Sequence, residues 1–160
     1  MKTIGHGCGW NDLEVGFKFR TLNRTITETD LVLFTGVTGM LETIFTDRTF
    51  AAEKGAIQGQ FVPAALTYSL IEGLLCQSMI QGTGLAMLEL NQQILAPVRV
   101  GDTVHGEIEI TSVRPTSKGN RGIVVSRIDV KNQQGEVVMT YEATRMLAGR
   151  SADQGTSERA

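Results

Sequence analysis

The chain has 160 residues, of which 41% are hydrophobic and 20% are charged, and its formal net charge is −2 at pH 7. This length and composition predict one globular domain with a sizeable hydrophobic core. The balanced charge argues against the basic surface that binds nucleic acids or anionic membranes, so we expect neither as a partner.

The two ends of the chain predict little structure. Residues 5–9 contain three glycines, and residues 149–160 are rich in Gly, Ser, Thr and charge. We therefore expect a flexible segment over residues 1–10, a domain over residues 11–148 and a disordered tail over residues 149–160.

Compartment and redox state can be predicted from the start of the chain and from its cysteines. The first ten residues contain no apolar run of signal-peptide length, and residues 64–80 carry too many polar side chains for a membrane span. Cys8 and Cys76 lie far apart, and Cys76 falls in an apolar stretch, which predicts a buried thiol rather than a disulfide. A cytoplasmic protein is the expectation.

Two short helices are predicted in the first third of the chain. Thr27 and Asp30 form a capping-box pattern before the apolar run 31–37, which Gly36 and Gly39 are expected to end. Asp47 then predicts the cap of a second helix, which runs through Glu53 and stops near Gly55.

A long third helix is predicted from Pro63 to Ile80, because proline suits the first turn of a helix. Its apolar residues spread around most of the helix, so other elements must wrap it. Glu72 within this helix is expected to pair with a neighbour or to reach the surface.

The strands that follow supply the wrapping. Apolar and polar residues alternate along them, with turns near Gly119 and Gly135. The inward positions are Val104, Ile108, Ile110, Val124, Ile128, Val130, Val137, Met139, Tyr141 and Ala143. The predicted class is α+β, with one antiparallel sheet wrapped around one long central helix.

Three stretches of the chain resemble the MaoC-like hydratase and dehydratase family. That family carries Gly-Asp-x-Asn-Pro-x-His, and the same spacing begins here at Gly39. The stretch 61–70 resembles the start of the family's central helix, and 95–103 resembles its Pro-Val-x-x-Gly-Asp turn. The resemblance covers about residues 11–148 and implies a hot-dog fold that pairs into a homodimer or a higher homo-oligomer.

Both catalytic positions of the resembling family are replaced in this chain. Its Asp position is Met40, its Asn position is Glu42, its Pro position is Thr43 and its His position is Phe45. In that family, Asp and His activate water for addition to an enoyl thioester or for the reverse elimination. Met40 and Phe45 carry no proton at a useful pKa.

The resemblance also implies a substrate site. The family holds an acyl thioester of CoA or of acyl carrier protein in a tunnel, and amides at the start of its central helix polarise the thioester carbonyl. The corresponding positions here are the tunnel residues Met40 and Phe45 and the helix start at Pro63, Ala64 and Ala65. Ala64 can donate its amide, whereas Pro63 has none to donate.

Two carboxylates remain as candidate proton carriers. Glu42 is a candidate base if it points into the tunnel, where desolvation would raise its pKa, and the alternative is a carboxylate exposed on a loop. Asp47 is a weaker candidate, with helix capping as its alternative. His6 and His105 are predicted at the surface. The histidines and cysteines form no metal-ligand spacing, and no motif indicates a cofactor.

Three functions stay open at this point. The first is a hydratase or dehydratase of fatty acid metabolism that acts on acyl thioesters, with Glu42 and the Ala64 amide at its site. The second is a non-catalytic thioester-binding protein or partner subunit, and the third is an acyl-CoA thioesterase that uses Glu42 or Asp47.

Overall fold

The structure is a computed structural model that describes residues 5–57 and 59–150. Its four helices are α1 (Glu28–Thr38), α2 (Thr43–Thr46), α3 (Arg48–Lys54) and α4 (Ala64–Cys76), preceded by a 3-10 turn at Trp10–Asp12. The strands are β1 (Lys18–Arg20), β2 (Arg24–Thr25), β3 (Gly84–Ile94), β4 (Thr103–Pro115), β5 (Arg121–Lys131) and β6 (Val137–Ala148).

The strands form one antiparallel sheet that packs on α4. Its order is β1-β4-β5-β6-β3, and β2 pairs with β4 beside this path. β4, β5 and β6 bury residues in the core, and Val104, Ile108 and Ile110 on β4 are each at most 2% exposed, whereas every residue of β3 is exposed. The predicted sheet around one long helix is therefore confirmed.

The caps of α1 and α3 follow from local sequence. Asp30 N–H donates to Thr27 Oγ1 at 3.2 Å and Thr27 N–H donates to Asp30 Oδ2 at 2.8 Å, which completes the predicted capping box. The helix ends at Gly39, whose φ of 71° suits glycine. Gly36, also predicted to end this helix, lies inside it. Asp47 caps α3 as predicted, but the single turn of α2 was not predicted.

The central helix is shorter and less enclosed than predicted. It ends at Cys76 rather than at Ile80, because the amides of Ser78 and Ile80 both bond to the Leu75 carbonyl and turn the chain away. Leu75 and Ile71 lie on its buried side. The expectation of a buried Cys76 is wrong, since this free thiol lies on the exposed side of the helix.

The predicted end segments lie partly outside the described residues. The N-terminal segment 1–10 is described from residue 5, where Gly7 and Cys8 donate to the carbonyls of Gln81 and Met79 at 2.7 and 2.6 Å. Of the predicted tail, residues 151–160 lie outside the described part. Over the described ranges, no helix is long and apolar enough to cross a membrane.

Candidate functional site

A pocket of about 280 Å³ lies at the N-terminal end of α4. Five parts of the chain build it: α2, the segment that leads into α4, the start of α4, the end of β3 with the loop after it, and β6. Its lining residues are Phe45, Ile57, Phe61, Val62, Pro63, Ala64, Thr67, Ile94, Leu95, Ala96, Pro97, Val98, Val138 and Met139.

Backbone hydrogen bonds fix the walls of this pocket. Val62 N–H donates to the Val98 carbonyl at 2.9 Å, which joins the entry of α4 to the loop after β3. The amides of Leu95 and Ala96 both donate to the Val138 carbonyl, at 2.9 and 3.1 Å. The pocket is therefore bounded by paired backbone rather than by loose side chains.

An aromatic pair brings α2 to the pocket. The rings of Phe45 and Phe61 pack edge to face, with centroids 5.5 Å apart and an interplanar angle of 70°. Phe45 also lines a neighbouring pocket that contains Asp47 and Arg48. The Phe45 ring thus separates the apolar pocket from a more polar one.

The start of α4 leaves backbone donors beside the pocket. Pro63 precedes the helix in an extended conformation, and its carbonyl accepts from the Leu66 amide at 2.9 Å. No side chain caps this helix start. The first amides of a helix have no partner within it, so Ala64 N–H, on the pocket wall, is available to a ligand carbonyl.

The chemistry of the wall is almost wholly apolar. Of the fourteen lining residues, only Thr67 carries a hydroxyl, and none carries a carboxylate, an imidazole, a thiol or an amine. The Thr67 Oγ1 atom is enclosed and has no hydrogen-bond partner within residues 5–57 and 59–150. This pocket can hold an apolar chain and polarise a carbonyl, but its wall offers no group that carries a proton near neutral pH.

Three of the five predicted tunnel and helix-start residues line the pocket, and the other two lie outside its lining. Phe45, Pro63 and Ala64 line the pocket, whereas Ala65 is half-buried outside its lining. Met40 is 41% exposed and also lies off the wall. Of the two positions predicted to replace the family's Asp and His, only Phe45 is on the wall of this pocket.

Both predicted carboxylates lie outside the apolar pocket. Glu42 precedes α2, where its backbone carbonyl accepts from Phe45 N–H at 2.9 Å while its side chain is exposed and makes no capping bond. Asp47 Oδ1 accepts from the amides of Thr49 and Phe50, at 2.8 and 3.1 Å. Asp47 is thus the cap of α3, and a catalytic role for either carboxylate stays a prediction.

A polar cluster lies further along α4. The sequence predicted that Glu72 pairs with a neighbour or reaches the surface, but it did not predict the other members of this cluster. Glu72 Oε1 accepts from Tyr141 Oη at 2.8 Å and from Arg145 Nη2 at 2.5 Å. Arg145 Nη1 donates to Ser126 Oγ at 2.7 Å, and the Arg145 side chain is 3% exposed. Burial and the neighbouring Glu72 charge raise the pKa of the Tyr141 hydroxyl, which stays protonated.

The histidines stand apart from these features. His6 is exposed, and His105 Nε2 lies 3.6 Å from a Glu107 carboxylate oxygen on the same strand. Across the described residues, no group of three or more His, Cys, Asp or Glu side chains is arranged to hold a metal ion.

Comparisons with known proteins agree on one family. Residues 12–143 match the sequence model of the family described as "MaoC like domain". The chain is 30% identical over 135 residues to the (R)-specific enoyl-CoA hydratase of Aeromonas caviae, covering 84% of this chain and 96% of that protein.

Solved structures share the fold. An R-hydratase from Pseudomonas aeruginosa superposes with a TM-score of 0.74 at 27% identity, covering 91% of this chain and 88% of that one. A Mycobacterium tuberculosis protein described as having a double hotdog fold gives a TM-score of 0.82 at 16% identity, covering 96% of this chain and 52% of that one. The sheet around α4 is a single hot-dog domain.

Proposed function

This chain belongs to the MaoC-like domain family, whose fold is that of hydratases and dehydratases, and we propose that it binds acyl thioesters in the pocket at the start of α4. The acyl chain would lie against the apolar wall, and the carrier, CoA or acyl carrier protein, would extend into solvent. One observation carries this proposal: apolar residues line the pocket, and one of them is Ala64, the first residue of α4, whose amide has no partner within the helix.

The ligand class follows from these two parts of the wall. Apolar side chains favour a hydrocarbon chain, since each buried methylene contributes about 0.8 kcal/mol. A backbone amide at a helix start favours a carbonyl oxygen, whose partial negative charge it stabilises. An acyl thioester joins a hydrocarbon chain to such a carbonyl, so one molecule satisfies both parts.

We propose that binding, rather than hydration, is the main activity of this pocket. Water addition to a double bond needs a group that removes a proton from water and a group that returns one. The wall offers neither, because Phe45 lies where the family has its histidine and Met40 lies off the wall. The protein would then hold a thioester for a catalytically complete relative or enzyme.

Hydration or dehydration through Glu42 is the second candidate. Glu42 lies three residues before Phe45, and the hydrogen bond between its carbonyl and the Phe45 amide makes both part of the single turn of α2. A shift of this short helix would carry the Glu42 carboxylate toward the pocket mouth. That carboxylate would then act as a single base.

One experiment separates these functions. Purified protein is mixed with a short and a medium trans-2-enoyl-CoA, and loss of the conjugated double bond is followed by absorbance while binding is followed by calorimetry. Glu42→Gln is the test variant and Glu53→Gln, an exposed residue on α3, is its matched control. Release of free CoA from a saturated acyl-CoA is measured in parallel.

The binding function predicts saturable binding without loss of absorbance, and Glu42→Gln should bind as the wild type does. Hydration that disappears in Glu42→Gln but not in Glu53→Gln would favour the enzyme. Free CoA released from the saturated thioester would instead indicate a thioesterase. Absence of binding to every thioester would contradict the proposal.

We also propose that the protein is a homodimer or a higher homo-oligomer assembled through β3. This strand pairs with β6 on one side, and among the described residues no strand covers its other side. Large apolar side chains are exposed along it, including Leu85, Leu88 and Ile94 at 48–50%. An unpaired strand edge of this length with exposed apolar side chains favours association with a second copy of the chain.

Light scattering after gel filtration tests this assembly. Leu88→Glu should shift the protein toward monomer, because the new charge would be buried between the two copies. Val37→Glu, on α1 and 84% exposed, is the matched control and should leave the mass unchanged. A monomeric wild type would contradict the proposed assembly.

We further propose a cytoplasmic role in fatty acid metabolism. The two cysteines, Cys8 and Cys76, are both free thiols, which fits a reducing compartment. Acyl thioesters of CoA and of carrier protein are intermediates in that part of metabolism, so the location and the ligand class support each other.

A further inference from the structure

The Thr67 side chain differs from the other hydroxyls that lie well inside the helices. Thr35 and Ser69 each donate to the backbone carbonyl four residues earlier, at 2.9 and 2.7 Å, and Thr38 does so at 2.6 Å. Thr67, the fourth residue of α4, makes no such bond, and the residue is only 1% exposed. Its hydroxyl is therefore enclosed without a partner.

An enclosed hydroxyl without a partner is unfavourable for folding. Valine has nearly the same shape and would fill the same space without this penalty. A polar group kept at a cost to stability points to a partner outside the protein chain, and Thr67 lies on the wall of the pocket where a ligand would be. Thr83 Oγ1 is also enclosed and unpaired, but Thr83 lies away from this wall.

The position of Thr67 on the helix places its side chain on the same side of α4 as Ala64. Residues three apart lie on the same face of a helix, and both Ala64 and Thr67 line the pocket. The Cα–Cβ bonds of a helix tilt toward its N-terminus, so the Thr67 side chain leans toward the first turn. A rotation that exposes Thr67 Oγ1 would therefore bring the hydroxyl to the part of the pocket where Ala64 lies.

The helix start is also short of one donor. Pro63, directly before Ala64, has no N–H, so the backbone offers a carbonyl oxygen at this point only the amides of the first turn. A hydroxyl on the next turn can replace a missing donor. The wall carries no charged group, so the ligand atom held there is neutral, as the oxygen of a thioester carbonyl is.

We propose that the Thr67 hydroxyl donates a hydrogen bond to the thioester carbonyl oxygen, beside the Ala64 amide. This inference rests on the proposed binding of acyl thioesters to the same pocket. Rotation about the Cα–Cβ bond of Thr67 turns Oγ1 from its enclosed position toward the ligand. Thr67 thereby selects ligands that carry a carbonyl next to sulfur over ligands that carry only the chain.

The test compares two ligands that differ in that carbonyl alone. Hexanoyl-CoA is a thioester, and S-hexyl-CoA is the thioether with a methylene in place of the carbonyl. Both are titrated by calorimetry into the full chain and into Thr67→Val, Thr67→Ser and Thr83→Val. Thr67→Ser keeps the hydroxyl, and Thr83→Val removes an unpaired hydroxyl away from the pocket.

Loss of one neutral hydrogen bond should weaken hexanoyl-CoA binding to Thr67→Val about fivefold while S-hexyl-CoA binding changes less than about twofold. Thr67→Ser should retain the preference for the thioester, and Thr83→Val should bind both ligands as the wild type does. Both valine variants should melt no lower than the wild type, because each loses an unpaired buried hydroxyl.

Two results would overturn the inference while leaving the proposed function intact. Thr67→Val could weaken both ligands equally, which would indicate a change of shape, or it could weaken neither. If the wild type binds neither ligand, the proposed function fails and this inference fails with it.

Discussion

The two halves of α4 use polar groups in opposite ways. Its first turns carry an apolar pocket in which the one hydroxyl, that of Thr67, has no partner. Its later turns carry Glu72, whose carboxylate accepts from both Tyr141 and Arg145. The charge at one end is paired within the chain, whereas the hydroxyl at the other end is the group that we propose binds a ligand.

This difference shows why a carboxylate on the central helix is not by itself a catalyst. Glu72 is bound by Tyr141 and Arg145. These contacts stabilise the domain, since a buried charge needs such partners. The residues that line the pocket include no carboxylate, imidazole, thiol or amine, so they supply no proton carrier near neutral pH. Breaking the pairs of one half should therefore unfold the protein, and changing the other half should alter binding.

The largest expected effect is a loss of stability when the half of α4 that carries Glu72 is changed. Glu72→Ala would leave the buried Arg145 guanidinium without its counter-charge, and we expect a loss of about 3–5 kcal/mol in the free energy of unfolding. Urea titration followed by circular dichroism measures this loss. Glu142→Ala, on the exposed side of β6, is the control and should change stability little.

The double variant Glu72→Leu with Arg145→Met sharpens this result. It removes both charges at once, so we expect its loss of stability to be much smaller than the sum of the two single losses. Additive losses would show that the pair is not coupled and would contradict the role assigned to the half of α4 that carries Glu72.

The next largest effect is expected from a variant that adds a proton carrier to the wall of the pocket at the start of α4. Phe45→His places an imidazole on the wall, and positioned bases typically contribute about 10²–10⁴ in rate. We expect enoyl-CoA hydration in this variant to exceed that of the wild type by at least about tenfold. Phe50→His, on α3 and outside the wall, is the control. A wild type that already hydrates faster than Phe45→His would contradict the account.

A smaller effect is expected at the start of α1, outside both halves of α4. Burial opposes ionisation of Asp30, but hydrogen bonds from Thr27 and the charge of Arg24 outweigh it and lower the pKa of this carboxyl. A lowered pKa stabilises the fold at pH values above the unfolded pKa of about 3.9, and the stabilisation is lost as the pH falls through the folded value.

Asp30→Asn should therefore lower the free energy of unfolding by about 1 kcal/mol near pH 7, through the weakened cap and ion pair. The difference from the wild type should shrink as the pH falls below about 4, and it should be lost once the pH is below the lowered pKa of Asp30 in the folded protein, where the wild-type carboxyl is protonated. Urea titrations over a series of pH values measure this. A difference that stays constant with pH would contradict the assigned ionisation.

The parts of the fold that depend on local chemistry could be predicted from the sequence. The capping box of Thr27 and Asp30, the cap at Asp47 and the alternation along β4 each involve residues within a few positions of one another. The end of α4 could not be predicted, because tight hydrogen bonds to the Leu75 carbonyl decide it rather than a glycine or proline.

The candidate site was predicted less completely, because its parts come from distant segments. Phe45 and Ala64 follow from the family spacing, and both line the pocket. Thr67 was missed, since nothing in the sequence separates it from Ser69, whose hydroxyl bonds to its own helix. The pairing of Glu72 with Arg145 joins residues 73 positions apart, which no local pattern indicates.

The most direct test of acyl-thioester binding at the start of α4 is a calorimetric titration of hexanoyl-CoA into the wild type, Ala64→Leu and Ala65→Leu. Ala64 lines the pocket and Ala65 does not, so the two variants add the same side chain on and off the wall. We expect saturable binding to the wild type, a loss of affinity of at least about tenfold in Ala64→Leu and little change in Ala65→Leu. Equal affinity in all three proteins, or no binding to the wild type, would contradict it.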